Sequence, residues 1–284
     1  MSQDLILSIK THMNAFTKAE KKVAEYVLDN LHQAVNMSIS DLSLECGTGE
    51  TTVFRFCRTL KLKGYMEFRM LLALSVSGLD PEPKADWNSG NGDSRLSGLC
   101  EKTLNEHISV LKETYKLLEF DKLEQAASKM DGARAIYFYG LGASYLSAQE
   151  AHCKFLRITR NVNSIMDSHF QTMSAALAGE GDVAVIFTHS GSSKDAIMIM
   201  KLLKENGCFI ICVTRFKKTP ATELADIALF CGDNETPLQG GSASARISQL
   251  YIIDLLFNEY CRLNKDLTSK NRTATSMAVS DKLL

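Results

Sequence analysis

From residue 105 to residue 265 the chain alternates between two hydrophobic rhythms. Short runs such as ARAIYFYG, DVAVIFTH and CFIICVT are almost continuously apolar, as expected of strands buried on both faces of a sheet. Between them, apolar positions recur at three- and four-residue intervals, which places them along one side of a helix. This pattern predicts a helix over about 121–130, the strand ARAIYFYG, a helix from Ser144 to about Thr159 and a short strand around NVNSIMD. A helix over about 169–178, the strand DVAVIFTH, a helix from Lys194 to Glu205 and the strands CFIICVT and ADIALFC follow. The long helix ASARISQLYIIDLLFNEYCRL closes the series. Strands separated by helices imply an α/β domain with a parallel sheet flanked by helices.

Residues 1–76 carry the helical rhythm alone and predict an all-α domain. Thr17 and Glu20 have capping-box spacing, and Val23, Tyr26, Val27 and Leu31 follow as one apolar face. Ser38 and Asp41 repeat the start signal before a short helix from Leu42 to Cys46, which Gly47 ends. In the next segment, TGETTVFRFCRTLKLKGYMEFRMLLAL, Val53, Phe56, Cys57 and Leu60 bury one face, while Thr51, Arg55 and Arg58 share another. The run SGLDPEPKADWNSGNGDSRLSG, residues 77–98, has no apolar period and holds Pro81 and Pro83. Its composition is that of a linker. The expected division is a helical domain over 1–76, a linker over 77–104, an α/β domain over 105–265 and a loosely held polar tail over 266–284.

With 284 residues, 45% hydrophobic and 23% charged, the chain has the composition of a globular protein. Its net charge of −1 excludes a generally polybasic nucleic-acid binder, so any DNA contact has to come from a local patch. The eight cysteines are scattered and form no C-x-x-C pair, which points to reduced thiols in a cytoplasmic setting. No apolar run approaches ~18 residues, and the first residues lack a basic-then-apolar signal, so neither a membrane span nor export is expected.

A local basic patch does exist. The short helix, the glycine turn and the helix from about Thr48–Glu50 onward form a unit that either packs as scaffolding or reads DNA. As a reader it would present Thr51, Thr52, Arg55 and Arg58 to the major groove, with Lys61 and Lys63 just beyond. From Thr51 to Arg69 the charges are Arg55, Arg58, Lys61, Lys63 and Arg69 against Glu67. Arginine can fork onto guanine or phosphate, and threonine can meet a thymine methyl group.

A second chemistry sits at two strand ends. GLGAS places Gly140, Gly142 and Ser144 at a turn into a helix, and Tyr145 occupies the position where a dinucleotide fingerprint needs a third glycine. FTHSGSSKD follows the next long strand with Thr188, Ser190, Gly191, Ser192 and Ser193. A helix cap would use one hydroxyl, Ser192 with Asp195 being the obvious pair. An anion cradle at a helix N-terminus would use the others as well. With no P-loop lysine pattern, a single phosphate on a small molecule fits better than a nucleoside triphosphate. Further polar candidates are Asp167, His169 and Gln171 after a strand end, or an ordinary helix start there, and His189, contributing through its backbone. Glu150, His152 and Cys153 lack a paired metal cluster. Glu235 and Arg246 flank GGSASAR, and Ile247, Leu250, Ile253 and Leu256 form a core or dimer stripe on the last helix.

The segment from Met37 to Leu72 resembles the N-terminal helix-turn-helix of RpiR-type bacterial transcriptional regulators. The resemblance rests on Thr52, Val53, Arg55, Phe56, Cys57 and Leu60, then Gly64, Tyr65, Phe68 and Arg69. Thr48-Gly49 stands where that family commonly has Val-Ser, and Leu60-Lys61 where it commonly has Leu-Gly. GLGAS followed by THSGSSKD is similar to the sugar isomerase (SIS) domain. That likeness implies a phosphosugar effector held by Ser144, Thr188, Ser190 and Ser193, with amides near Gly191 and Ser192 helping. Together the two resemblances imply a regulator that binds operator DNA as a homodimer or higher homo-oligomer, without catalytic residues, cofactor or metal. The rival readings are a phosphosugar isomerase or lyase with a helical appendage, and a helical interaction module that never touches DNA.

Overall fold

The computed structural model describes residues 5–77, 92–233 and 243–280. The chain divides between Asn105 and Glu106 into two compact units.

The first unit holds α1 (Leu5–His12), α2 (Lys18–Asp29), α3 (Leu31–Val35), α4 (Ile39–Glu45), α5 (Glu50–Thr59) and α6 (Tyr65–Ser77). Both expected capping boxes form: Thr17 with Glu20 opens α2, and Ser38 with Asp41 opens α4. Each satisfies free N–H groups of the first helical turn. The apolar face of α5 (Val53, Phe56, Cys57) is fully buried, and Leu60 just beyond it is buried too. Phe56 lies at the centre, its ring 5.1 Å from Phe16 and 5.5 Å from Phe68.

In the second unit a five-stranded sheet runs in the order β2-β1-β3-β4-β5, every pair parallel. The strands are β1 (Ile136–Gly140), β2 (Val162–Ser164), β3 (Val183–Phe187), β4 (Phe209–Thr214) and β5 (Ile227–Phe230). Successive side chains leave a strand on opposite faces, and the cores show it. Val183, Val185, Phe187, Ile211 and Val213 join one apolar cluster with α8 (Phe120–Asp131), α9 (Ala143–Phe155) and α13 (Ala243–Leu263). Ala184, Ile186, Ile210 and Cys212 join the other, with α10 (Ser168–Leu177), α11 (Lys194–Glu205) and α12 (Pro220–Leu224). Helix α9 follows β1 onto one face and α11 follows β3 onto the other. Strand order therefore reverses between β1 and β3, and open parallel sheets bind ligands at the carboxyl ends of such a reversal.

Two expectations need correcting. Residues 78–91 of the expected linker lie outside the described residues, but from Gly92 to Leu117 the chain is helix α7. The polar start of that helix masked the period that begins at Leu96. The polar tail is likewise ordered: Lys265–Met277 forms α14. Thr268 is buried, the Asn271 amide donates to the Ile158 carbonyl (2.8 Å), and the Thr275 hydroxyl donates to the Arg157 carbonyl (3.0 Å). These residues fall at i, i+3 and i+7, so α14 is attached by a polar stripe, which a search for apolar periodicity overlooks. Helix α12 is a third element that the apolar pattern does not announce.

Candidate functional site: a switch-point cavity and a basic helix face

Two backbone details shape the turn after β1. A Cβ on Gly140 would lie 2.4 Å from the Ser144 carbonyl oxygen, so only glycine admits α9 this close to the strand end. Gly142 has φ +56° and is the N-cap of α9. The turn after β3 is held from behind. Gly191 has φ +62°, and a Cβ there would lie 2.3 Å from Thr219 Oγ1. Ala221 donates its N–H to the Gly191 carbonyl (3.0 Å), and Thr219 closes a capping box with Thr222 at the start of α12. The loop is thus clamped against α12 through a position that tolerates no side chain.

Between these turns lies a cavity of about 200 Å³. Ser144, Thr188, Ser190 and Ser193 line it, together with His189 and Gln171. Its apolar lining comes from Tyr139, Leu141, Ile186, Phe187, Ala196 and Ile199. Gly191 and Ser192 do not line it. Ser192 is exposed and forms a turn with Ser190, its amide donating to Ser190 Oγ and its hydroxyl to the Ser190 carbonyl, both 3.3 Å. The N-cap of α11 is Ser193 rather than Ser192, and its side chain makes no capping bond. Ser193 therefore lines the cavity with its hydroxyl not engaged in capping α11.

The further candidates separate cleanly. Asp167 is the N-cap of α10, accepting from the His169 and Phe170 amides (2.9 and 3.1 Å), so its role is the ordinary helix start. His169 is exposed. Gln171 is fully buried; its amide nitrogen donates to the carbonyls of Gly140 and Ile165, both at 2.8 Å. His189 contributes more than its backbone. Its Nε2 lies 2.8 Å from the buried carboxylate of Asp233, and its ring stacks on Phe216 at 6.1 Å. Arg215 approaches the same carboxylate at 3.4 Å. Asp233 in turn donates its N–H to Glu113 of α7 (3.2 Å), and the Gly232 N–H goes to Thr114 (2.9 Å). Neither Asp233 nor Arg215 stands in a motif; strand-end packing alone brings them to His189. Glu235 lies outside the described residues, and Arg246 is half-buried on α13. Ile253 and Leu256 are core, whereas Leu250 is 39% exposed. Among the described residues no group of three or more His, Cys, Asp or Glu side chains is placed to hold a metal ion. Nor, among them, is any helix long and apolar enough to cross a membrane.

In the first unit, α4, the turn and α5 form a helix-turn-helix. Thr51, Arg55 and Arg58 are exposed on α5, Lys61 and Lys63 are exposed just after it, and Thr52 is half-buried. Arg69 leaves the patch: it is buried, and its Nε donates to the Val35 carbonyl at 3.0 Å. The α5 N-cap is Gly49, with no side-chain capping bond. Glu50 instead accepts a short hydrogen bond from Ser40 of α4. Both α4 and α5 end in the same way. Gly47 and Thr48 donate back to Leu44 and Ser43, while Lys61 and Leu62 donate back to Arg58 and Cys57. This paired pattern requires a left-handed residue after the cap. Gly47 (φ +59°) supplies it for α4, and Lys61 (φ +63°) supplies it for α5.

A helix-turn-helix unit and a parallel α/β unit of the SIS type in one chain define a helix-turn-helix transcriptional regulator with a SIS domain. The chain belongs to the RpiR family of these regulators. The helix-turn-helix domain of the rpiR family matches residues 3–78, and the SIS domain matches residues 129–259. An HTH-type transcriptional regulator of Haemophilus influenzae is 30% identical over 96% of both chains. One from Caldanaerobacter subterraneus is 32% identical over 89% of both. Among solved structures, the Vibrio vulnificus NanR protein complexed with ManNAc-6P superimposes with a TM-score of 0.87 at 26% identity, covering 98% of this chain and 99% of that one.

Proposed function

We propose that this regulator binds operator DNA through the exposed face of α5 and senses a phosphorylated sugar in the switch-point cavity, without turning it over. The observation that carries the sensing half is the meeting of Ser144, Thr188, Ser190 and Ser193 around one cavity, at the N-terminus of α11. Hydroxyls and free amides at a helix N-terminus suit a phosphate ester. NanR, its relative in fold and sequence, was captured with a sugar phosphate, which supports the same ligand class here. Isomerisation needs a base and an acid that reach the substrate. Of the acid/base candidates Glu235, His169 and His189, Glu235 lies outside the described residues, His169 does not line the cavity, and His189 lines it but turns its Nε2 to Asp233. This favours a sensor over an enzyme.

For DNA, Thr51, Thr52, Arg55 and Arg58 would read the groove, with Lys61 and Lys63 on phosphates. The protein works as a cytoplasmic homodimer or higher homo-oligomer, since two half-sites call for two heads at a fixed spacing. An exposed stripe on α10, formed by Phe170, Met173 and Leu177 (58%, 60% and 85% exposed), supplies an apolar surface for self-association.

The paired variants Ser190→Ala/Ser193→Ala and Arg55→Ala/Arg58→Ala test the two halves. The first should lose sugar-phosphate binding measured by calorimetry while still shifting operator DNA in a gel. The second should do the reverse. Unchanged sugar-phosphate affinity in the serine variant overturns the sensing half. Unchanged preference for operator over random duplex in the arginine variant overturns the DNA half.

A further inference from the structure

Gln171, a residue of the cavity lining, carries a buried polar atom that the phosphate does not explain. Gln171 is fully buried and lines the cavity, and both hydrogens of its amide nitrogen are committed, to the Gly140 and Ile165 carbonyls at 2.8 Å each. These two bonds fix the amide's orientation, because a flipped side chain would set its oxygen against two carbonyl oxygens. The other atom, Oε1, is buried and has no hydrogen-bond partner. Buried carbonyl oxygens are normally satisfied. One carried by a residue of the cavity lining is an acceptor for which a donor on the ligand is the natural partner.

The chemistry of that donor follows from the rest of the lining. Gln171 has no hydrogen left to give, and Ile186, Ala196 and Ile199 line the same cavity. A sugar hydroxyl placed on Oε1 could donate, but its own oxygen would find no donor in Gln171. An ammonium group brings three hydrogens and a charge, of which a single neutral acceptor beside apolar walls satisfies little. A secondary amide N–H is a donor only, and an acyl methyl group beside it is apolar. The cavity therefore offers what an N-acylamino substituent presents: one acceptor for the N–H and hydrocarbon for the methyl.

We propose that Gln171 is the specificity-determining residue of the effector site and that it selects N-acylated amino-sugar phosphates over the free amines and the plain sugars. The inference rests on the phosphosugar reading and deepens it. The hydroxyls hold the phosphate common to the class, and Gln171 chooses within the class. A site built to hydrogen-bond one group rejects analogues lacking it far more strongly than an apolar wall rejects a missing methylene.

The test uses the full-length protein and calorimetric titration with six probes. These are the 6-phosphates of N-acetylmannosamine, N-acetylglucosamine, mannosamine, glucosamine, mannose and glucose. At least one N-acetyl compound should bind at least tenfold more tightly than its amine and its plain sugar. Gln171→Met keeps the side chain's length and removes the amide, and it should bring that ratio close to one. If the residue only braces Gly140 and Ile165, affinity for every probe falls together and the ratio survives, which overturns the proposal. Equal binding of acetylated and free-amine probes by the natural protein overturns it as well. Should Gln171→Met fail to fold, Ala196→Val crowds the apolar wall instead. That change should weaken the N-acetyl compounds and spare the others, and an equal effect on all overturns the proposal. Failure of all six probes to bind is a different result: it removes the phosphosugar reading, and this inference with it.

Discussion

Lys61 holds φ at +63°, the only described residue other than glycine in the left-handed region. A side chain there costs roughly 1–2 kcal/mol. The same turn closes α4 with Gly47 at φ +59°, so the two helices of the DNA-reading hairpin differ in one choice at equivalent positions. Strain of this kind persists where function requires the side chain. Lys61 is exposed, and a cation beside DNA contributes through phosphate neutralisation. Two measurements on Lys61→Gly should then move in opposite directions. The first unit should gain about 0.5–1 kcal/mol, part of the relieved strain being offset by the freer unfolded chain. Operator affinity should fall, with the slope of log K against log salt reduced by about one. A more stable protein with unaltered salt dependence would leave Lys61 as unexplained strain. The departure itself, Leu60-Lys61 in place of Leu-Gly, stands in the sequence; that the position is left-handed emerges only from the backbone.

Helix α2 is secured by Glu20, whose carboxylate accepts from the Thr17 amide and hydroxyl, both at 2.8 Å, and from the Thr59 hydroxyl of α5 at 3.2 Å. Burial on its own raises the pKa. The Thr17 bonds, the Thr59 bond and the Arg55 charge outweigh it and hold the value below the ordinary 4.5. A carboxylate whose pKa is depressed by folding stabilises the fold above its unfolded value and loses that contribution as pH falls through the folded value. Glu20→Gln preserves the capping geometry and removes the charge. Its destabilisation relative to the natural protein, followed by denaturant unfolding, should be full at pH 7 and shrink steadily below about pH 4.5. A difference independent of pH would mean the charge contributes nothing. If the α10 stripe carries the proposed self-association, replacing Phe170 and Leu177 together by glutamate should leave only monomers in light scattering, since like charges on an apolar contact oppose association.

Element by element, legibility follows apolar periodicity. Strands β1, β3, β4 and β5 and helices α8 to α11 are readable because a parallel sheet buries both faces and leaves near-continuous apolar runs; β2, an edge strand of sequence Val-Asn-Ser with only Val162 buried, lacks such a run. Helix α13 was readable to its ends, Ala243 and Leu263. Helix α14 was not, because Asn271 and Thr275 attach it by polar bonds to the carbonyls of Ile158 and Arg157 just after α9, and its buried Thr268 is polar too. The site divides on the same ground. Ser144, Thr188, Ser190 and Ser193 announce themselves by clustering in two turns. Ser192 and Gly191 share those turns, yet one faces outward and the other is pressed against Thr219. Gln171 is legible only as a polar residue near a helix start. Its significance depends on which carbonyls consume its hydrogens, and both come from other segments.

At the scale of the whole molecule, sensing and DNA reading fall in different compact units, so one must act on the other through a shift between arrangements of differing affinity. Helix α7 links them in the chain, and its C-terminal part is pinned at the carboxyl end of the sheet. Glu113 holds the Asp233 amide, Thr114 holds the Gly232 amide, and the Asp233 carboxylate faces His189 in the turn after β3. A Cβ on Gly232 would lie 2.7 Å from Glu113, so this contact is close as well as polar. Whatever the route, equilibrium coupling is reciprocal. If the effector weakens operator binding tenfold, about 1.4 kcal/mol, the operator must weaken effector binding tenfold at the same salt. Operator affinity measured with and without saturating effector gives one factor. Effector affinity measured with and without saturating operator gives the other, and the two should agree. The Arg55→Ala/Arg58→Ala protein should lose the operator's influence on the effector while binding the effector as before. Unequal factors in the natural protein would show that DNA changes its oligomeric state as well, because reciprocity fails only when the two titrations begin from different assemblies.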